Sequence, residues 1–227
     1  MKDLFLPQPF LKAFPSAETV FADQVERYAR LMNPLVSIDL SAVDPTLSGW
    51  IHLVSPIEPD DSYLGTDTRD YWGPYLQPNW LAFRITADHR YQLLGEFGFF
   101  LFESNRYDML DEWYAEQQTS FEVHKAAFVE KGQVCRVGKS IANSPRPVAA
   151  VSQLGGRAPV ENLTWEDLPG AAFTYSDEDA VPRTLDGRLY QFIAAVPGWH
   201  YRNFGADEIL LYYDPVERIA LQTFVFG

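Results

Sequence analysis

Cysteine is nearly absent. Cys135 is the only one in 227 residues, which excludes a disulfide-stapled module and a cysteine zinc cluster and fits a reducing compartment. Basic residues are scarce too. Lysine and arginine number 18 against 31 acidic residues, for a formal net charge of -13. A surface of that sign repels phosphate backbones and anionic membranes, and it speeds encounter with a basic partner. Long apolar runs are missing: no stretch reaches the ~18 residues of a membrane span. The amino-terminal apolar stretch is cut by Pro7, Pro9 and Pro15 and lacks a small-residue cleavage site. The expectation is a cytoplasmic protein with neither nucleic acid nor membrane as partner.

Motif chemistry is equally sparse. The histidines are His52, His89, His124 and His200, and none belongs to an HxH or HExxH pair. Gly155-Gly156 lacks the lysine and hydroxyl of a phosphate-binding loop, and Gly95 and Gly98 lack the further glycine of a dinucleotide turn. No GxSxG elbow occurs. Neither cofactor nor metal is expected, and no residue is assigned a catalytic role. Cys135 reads as a small buried hydrophobe rather than a nucleophile. Asp60-Asp61 with Asp67 and Asp70 lack the spacing of a calcium loop and read as solvated carboxylates.

Apolar and aromatic residues are abundant, at 47% and 15%, with 16 Phe, 12 Tyr and 6 Trp. Such a chain builds a large, ring-rich core. Residues 16–32 carry Val20, Val25, Tyr28, Leu31 and Met32 near one helical face behind Ser16, and Asn33-Pro34 stops them, so the pattern predicts one helix of about four turns. From 36 to 103 the runs LVSIDL, GWIHLVSP, WLAFRITAD and YQLLGEFGFFLFE have strand lengths, and TADHR reads as a hairpin loop. Leu110, Trp113, Gln117, Phe121, His124 and Phe128 recur at helical steps, with Asp111, Glu112, Glu116, Glu122 and Glu130 facing water and Gly132 at the carboxy-terminal cap. This predicts one long helix, or two broken near Thr119-Ser120. Three further strands are predicted at 188–196, 208–213 and 218–226, the last two joined by a turn at Asp214-Pro215. The fold class is α+β, an antiparallel or mixed β-sheet packed by one or two long helices. Residues 1–227 read as one domain, with a subdivision near 139–147 as the alternative.

The surface candidates are rings and charges. Trp72, Tyr75 and Trp80 crowd one long loop beyond what a solvated loop needs. In GWHYRNFGADE, Trp199, His200, Tyr201, Arg202 and Asp207 combine polar and aromatic groups of the kind that dominate contact energies. Asp177, Glu178 and Asp179 form an acidic turn suited to a basic surface.

QLGGRAP around Gly155-Gly156 and Pro159, then Trp165, GRLYQFIAAVPG with its strand from Gly187 to Phe192, and ADEILLYYDP from Leu210 to Asp214 resemble the motif order of the YwqG-like family. The resemblance covers the carboxy-terminal third of the chain. That family has no agreed enzymatic activity, so it implies no catalytic residues. Small acidic bacterial proteins of this style are also similar to immunity proteins, which neutralise a toxin by covering its active site. The resulting expectation is a protein-binding module, in its most specific form an immunity protein directed at a basic toxin. The competing class is a small-ligand or carbohydrate-binding protein or hydrolase with a pocket around Trp72, Trp80, His200 and Arg202. A structural subunit, associating through the final hairpin, is the third class. Sequence does not choose the oligomeric state.

Overall fold

The computed structural model describes residues 3–58, 64–104, 110–138, 145–159, 163, 165–166, 168–176 and 180–226. In chain order the elements are β1 (Leu11–Ala13), α1 (Ala17–Val20), α2 (Val25–Leu31), β2 (Met32–Asp39), β3 (Trp50–Pro56), β4 (Trp80–Ile85) and β5 (Tyr91–Leu93). They continue with α3 (Leu101–Ser104), α4 (Leu110–Lys131), β6 (Cys135–Arg136), β7 (Arg146–Pro147), β8 (Gln153–Leu154), β9 (Phe173–Thr174), β10 (Arg183–Thr184), β11 (Gln191–Val196), β12 (Glu208–Asp214) and β13 (Ile219–Val225). The fold is α+β. A three-stranded sheet runs β1-β2-β3 and a six-stranded sheet runs β5-β4-β13-β12-β11-β8, with β6-β7 and β9-β10 as two-stranded ribbons. All these strand pairs are antiparallel.

Strands of the larger sheet read as nearly continuous apolar runs because both its faces are covered. Ile209, Leu211 and Tyr213 of β12 enter one buried cluster with β2, β3 and α4, while Leu210 and Tyr212 enter a second with Trp80, Phe173 and Tyr190. The first cluster draws residues from Phe14 to Phe224.

Three sequence expectations change. Residues 16–32 do not form one helix: α1 and α2 are separated at Phe21–Gln24, where Phe21 bridges Tyr91, the Ala22 amide donates to the Tyr91 carbonyl, and Gln24 turns left-handed at φ 42. Pairing with β5 outweighs helical propensity there. The chain then enters β2 directly at Met32, so Pro34 lies within a strand, beside an irregularity in the β2/β3 register. In 91–103 only Tyr91–Leu93 is strand, and the remainder folds into a 3-10 turn and α3. Finally, β12 and β13 are not an exposed hairpin. They lie between β11 and β4 inside the larger sheet, which removes the basis for association through their edges.

The long helix is unbroken across Thr119-Ser120 and spans Leu110–Lys131. Its buried positions are Leu110, Tyr114, Gln117, Ser120, Phe121, His124 and Ala127, and the five carboxylates named above are exposed. Gly132 follows with φ +69 and donates its amide to the Phe128 carbonyl.

The outer edge of β3 would leave alternate backbone groups unpaired inside the protein. Side chains of other elements close it. The Tyr91 hydroxyl accepts from the His52 amide and donates to the His52 carbonyl, at 2.8 and 2.6 Å. Gln222 Oε1 accepts from the Val54 amide at 3.0 Å, and Arg202 donates to the Pro56 carbonyl at 2.5 Å. The two sheets are thus joined by polar bonds as well as by packing. Among the described residues no helix is long and apolar enough to cross a membrane.

Candidate functional site

The segment after β11 turns sharply because Gly198 packs against the Ala206 backbone, where a Cβ would come within 2.7 Å of a carbonyl oxygen. Trp199 to Asp207 therefore leave and re-enter the sheet as a short loop, several of whose members are pinned inward. His200 Nδ1 donates to the Ala149 carbonyl at 2.9 Å, and the Tyr201 hydroxyl donates to the Ala150 carbonyl at 2.7 Å. Arg202 is 3% exposed and donates to Phe204 O, Asn33 Oδ1 and Pro56 O. The Asn203 amide donates to Ser120 Oγ at 2.9 Å, and Phe204 packs against Trp113 with ring centroids 5.2 Å apart. The loop is anchored at once to α4, β2 and β3.

Trp199 faces outward from this anchored frame. It is half-buried, meets the His200 ring edge-on at 4.4 Å, and carries the Arg136 guanidinium 4.6 Å above its ring. Arg136, Trp199, Asn203, Phe204, Gly205 and Asp207 line an open cleft of about 350 Å³. Burial pushes the His200 pKa down to about 4, against its bond to Ala149, and the Arg136 charge acts in the same direction. The imidazole beside the cleft is therefore neutral at neutral pH, with its proton on Nδ1. His124 is held similarly: its Nδ1 donates to the Ser120 carbonyl and its Nε2 accepts from the Val137 amide, with its pKa lowered by burial.

The other sequence candidates lie elsewhere. Trp72 is half-buried, donates to the Gly65 carbonyl at 2.7 Å and packs on the first cluster, with Arg69 stacked 5.1 Å from its ring. Tyr75 packs against the second cluster, where burial raises its pKa. Trp80 is fully buried among Trp165, Phe173 and Tyr175. Trp80, Tyr201, Arg202 and most of His200 are therefore core or anchoring groups, not surface ones. Trp72 packs on the first cluster and Trp80 lies in the second, and none of Trp72, Trp80, His200 and Arg202 lines the cleft beside Trp199. Asp177, Glu178 and Asp179 lie outside the described residues, as do Asp60 and Asp61. Among the described residues no group of His, Cys, Asp and Glu is gathered to hold a metal.

Two features escape sequence reading. Arg136 is separated from the 198–207 loop by the whole of β7 to β11, and nothing local marks it as a neighbour of Trp199. The second is a polar groove of about 520 Å³ whose lining includes Arg27, Tyr28, Tyr71, Phe97, Gly98 and Glu103. Arg27 stacks 4.1 Å over the Phe97 ring and pairs with Glu103 at 2.8 Å, while Tyr71 lies so close to Gly98 that a Cβ there would come within 2.2 Å.

No family model, no curated protein and no solved structure matches this chain.

Proposed function

We propose that the protein is a binding module whose contact surface is the β11–β12 loop and whose partner is another protein. The net charge of -13 favours a partner with a basic face, and an immunity protein that covers the active site of a cognate toxin is the most specific form of this reading. The observation that carries it is the contrast within one loop. Trp199 faces the cleft while His200, Tyr201 and Arg202 are tied to the interior. A ring held in place before binding loses little conformational entropy on contact, which is the property of a hot-spot residue.

The test is capture of the tagged protein from its native cells, followed by affinity measurement with the partner recovered. Trp199→Ala should weaken the complex about thirtyfold, and Asp207→Lys should slow its association, with the far-UV spectrum unchanged. Unaltered affinity in both variants would remove this loop from the interface. A second reading, a small-ligand or carbohydrate-binding protein or a hydrolase, draws on the size of the two openings, about 350 and 520 Å³, which falls in the range of ligand sites. Native mass spectrometry showing a retained small molecule and no protein partner would favour it.

A further inference from the structure

The β6–β7 ribbon sets Arg136 directly opposite Arg146. Residues opposed in an antiparallel pair project from the same face with Cβ atoms ~5 Å apart, and like charges so placed repel. In a protein of 31 acidic residues such a pair is easily neutralised, yet among the described residues no carboxylate pairs with either guanidinium. Both side chains are exposed, and Arg136 is spread over the Trp199 ring at the cleft wall. A guanidinium held over an aromatic ring keeps N–H donors that can bond an oxyanion in a bidentate manner. His200 adds no competing charge because its imidazole is neutral there. Asp207 is the acidic member of the cleft lining. It weakens an anion's attraction to the cleft.

We propose that the paired arginines Arg136 and Arg146, with Trp199 as a flat wall, form a seat for an oxyanion, a carboxylate or phosphate group carried on a planar ring. The seat shares Arg136 and Trp199 with the cleft described above, Arg146 joining as the cross-strand neighbour of Arg136, and its anion is a ligand distinct from the basic protein face proposed there. Titrating an anion needs no partner, so this inference and the partner reading fail independently.

The test uses the full chain and side-chain NMR of the arginine Nε–H and tryptophan Nε1–H groups. Inorganic phosphate, benzoate and phenyl phosphate are added in turn at constant ionic strength. All three should shift Arg136 and Arg146 saturably, and the two ring-bearing probes should bind more tightly and also move Trp199. The preference between benzoate and phenyl phosphate then assigns the group as carboxylate or phosphate. Arg136→Gln and Arg146→Gln should each lower the affinity at least tenfold. Arg146→Gln should at the same time raise the melting temperature of the free protein, because it relieves the repulsion. Asp207→Asn should tighten binding severalfold. Shifts that grow linearly without saturation, or equal shifts at Arg183 of β10, which belongs neither to the β6–β7 ribbon nor to the cleft lining, would show charge screening alone and overturn the proposal. So would undiminished affinity in both arginine variants.

Discussion

Single side chains make this protein sensitive to acid. His52 is 1% exposed, accepts from the Ser37 hydroxyl through Nδ1 and donates through Nε2 to the His89 carbonyl. Burial lowers its pKa from 6.5 to about 4, as it does for His200. Both groups are neutral in either state above the unfolded pKa, so they cost nothing at neutral pH. As pH falls below 6.5 the unfolded chain takes up protons that the folded one refuses, and stability declines until the folded pKa near 4 is reached. The loss is roughly 3 kcal/mol for His52 alone. Urea unfolding followed from pH 7 to 4 should show the midpoint falling steadily, and His52→Gln should flatten that dependence; a pH-independent midpoint in the native protein contradicts the assignment. None of this is legible in the sequence. Isolated histidines give no sign of burial, just as Trp199, His200, Tyr201 and Arg202 stand in a row without a period that says which of them turns inward.

At the scale of elements, legibility follows the strength of the repeat. The long helix is readable because its apolar positions recur over Leu110–Lys131 and a glycine follows, and the hairpin strands β12 and β13 are readable as apolar runs around Asp214-Pro215. The helix expected over 16–32 fails because its break rests on Tyr91, a residue far along the chain that no local pattern contains. Gly132 stands in open space, where an added Cβ would meet nothing within 4 Å, so its requirement is purely one of backbone conformation at φ +69. Gly132→Ala should therefore destabilise the protein by about 1 kcal/mol, and Gly132→Asn by less, since asparagine tolerates the left-handed region. Thermal unfolding of the two variants measures the difference, and equal melting temperatures for glycine and alanine would show that the cap contributes nothing.

Across the whole molecule, the two sheets depend on a few polar side chains that no strand pattern reveals. Alternation and run length tell that β3 and β5 are strands, but not that the Tyr91 hydroxyl serves both backbone groups of His52. Tyr91→Phe keeps the ring stacked on Phe83 and removes only that oxygen. It should cost about 2 kcal/mol, since two buried backbone groups lose their partner. Amide hydrogen exchange at His52, whose amide donates to the Tyr91 hydroxyl, should accelerate more than at its β3 neighbours Ile51 and Leu53. Uniform acceleration along β3 would instead indicate a general loss of packing.

The position of β13 between β4 and β12 sets an order in time. During synthesis β4 emerges with β5 to pair one side but long before β13, its partner on the other, and β12 is completed with one side still open. Neither side of that gap is satisfied until Ile219–Val225 has left the ribosome and slid between them. A chain halted upstream of β13 thus holds two unpaired, strongly apolar strand edges, the form most prone to stick to its own kind. Emergence of β13, rather than any earlier stage of the chain's growth, is the moment at which this fold closes.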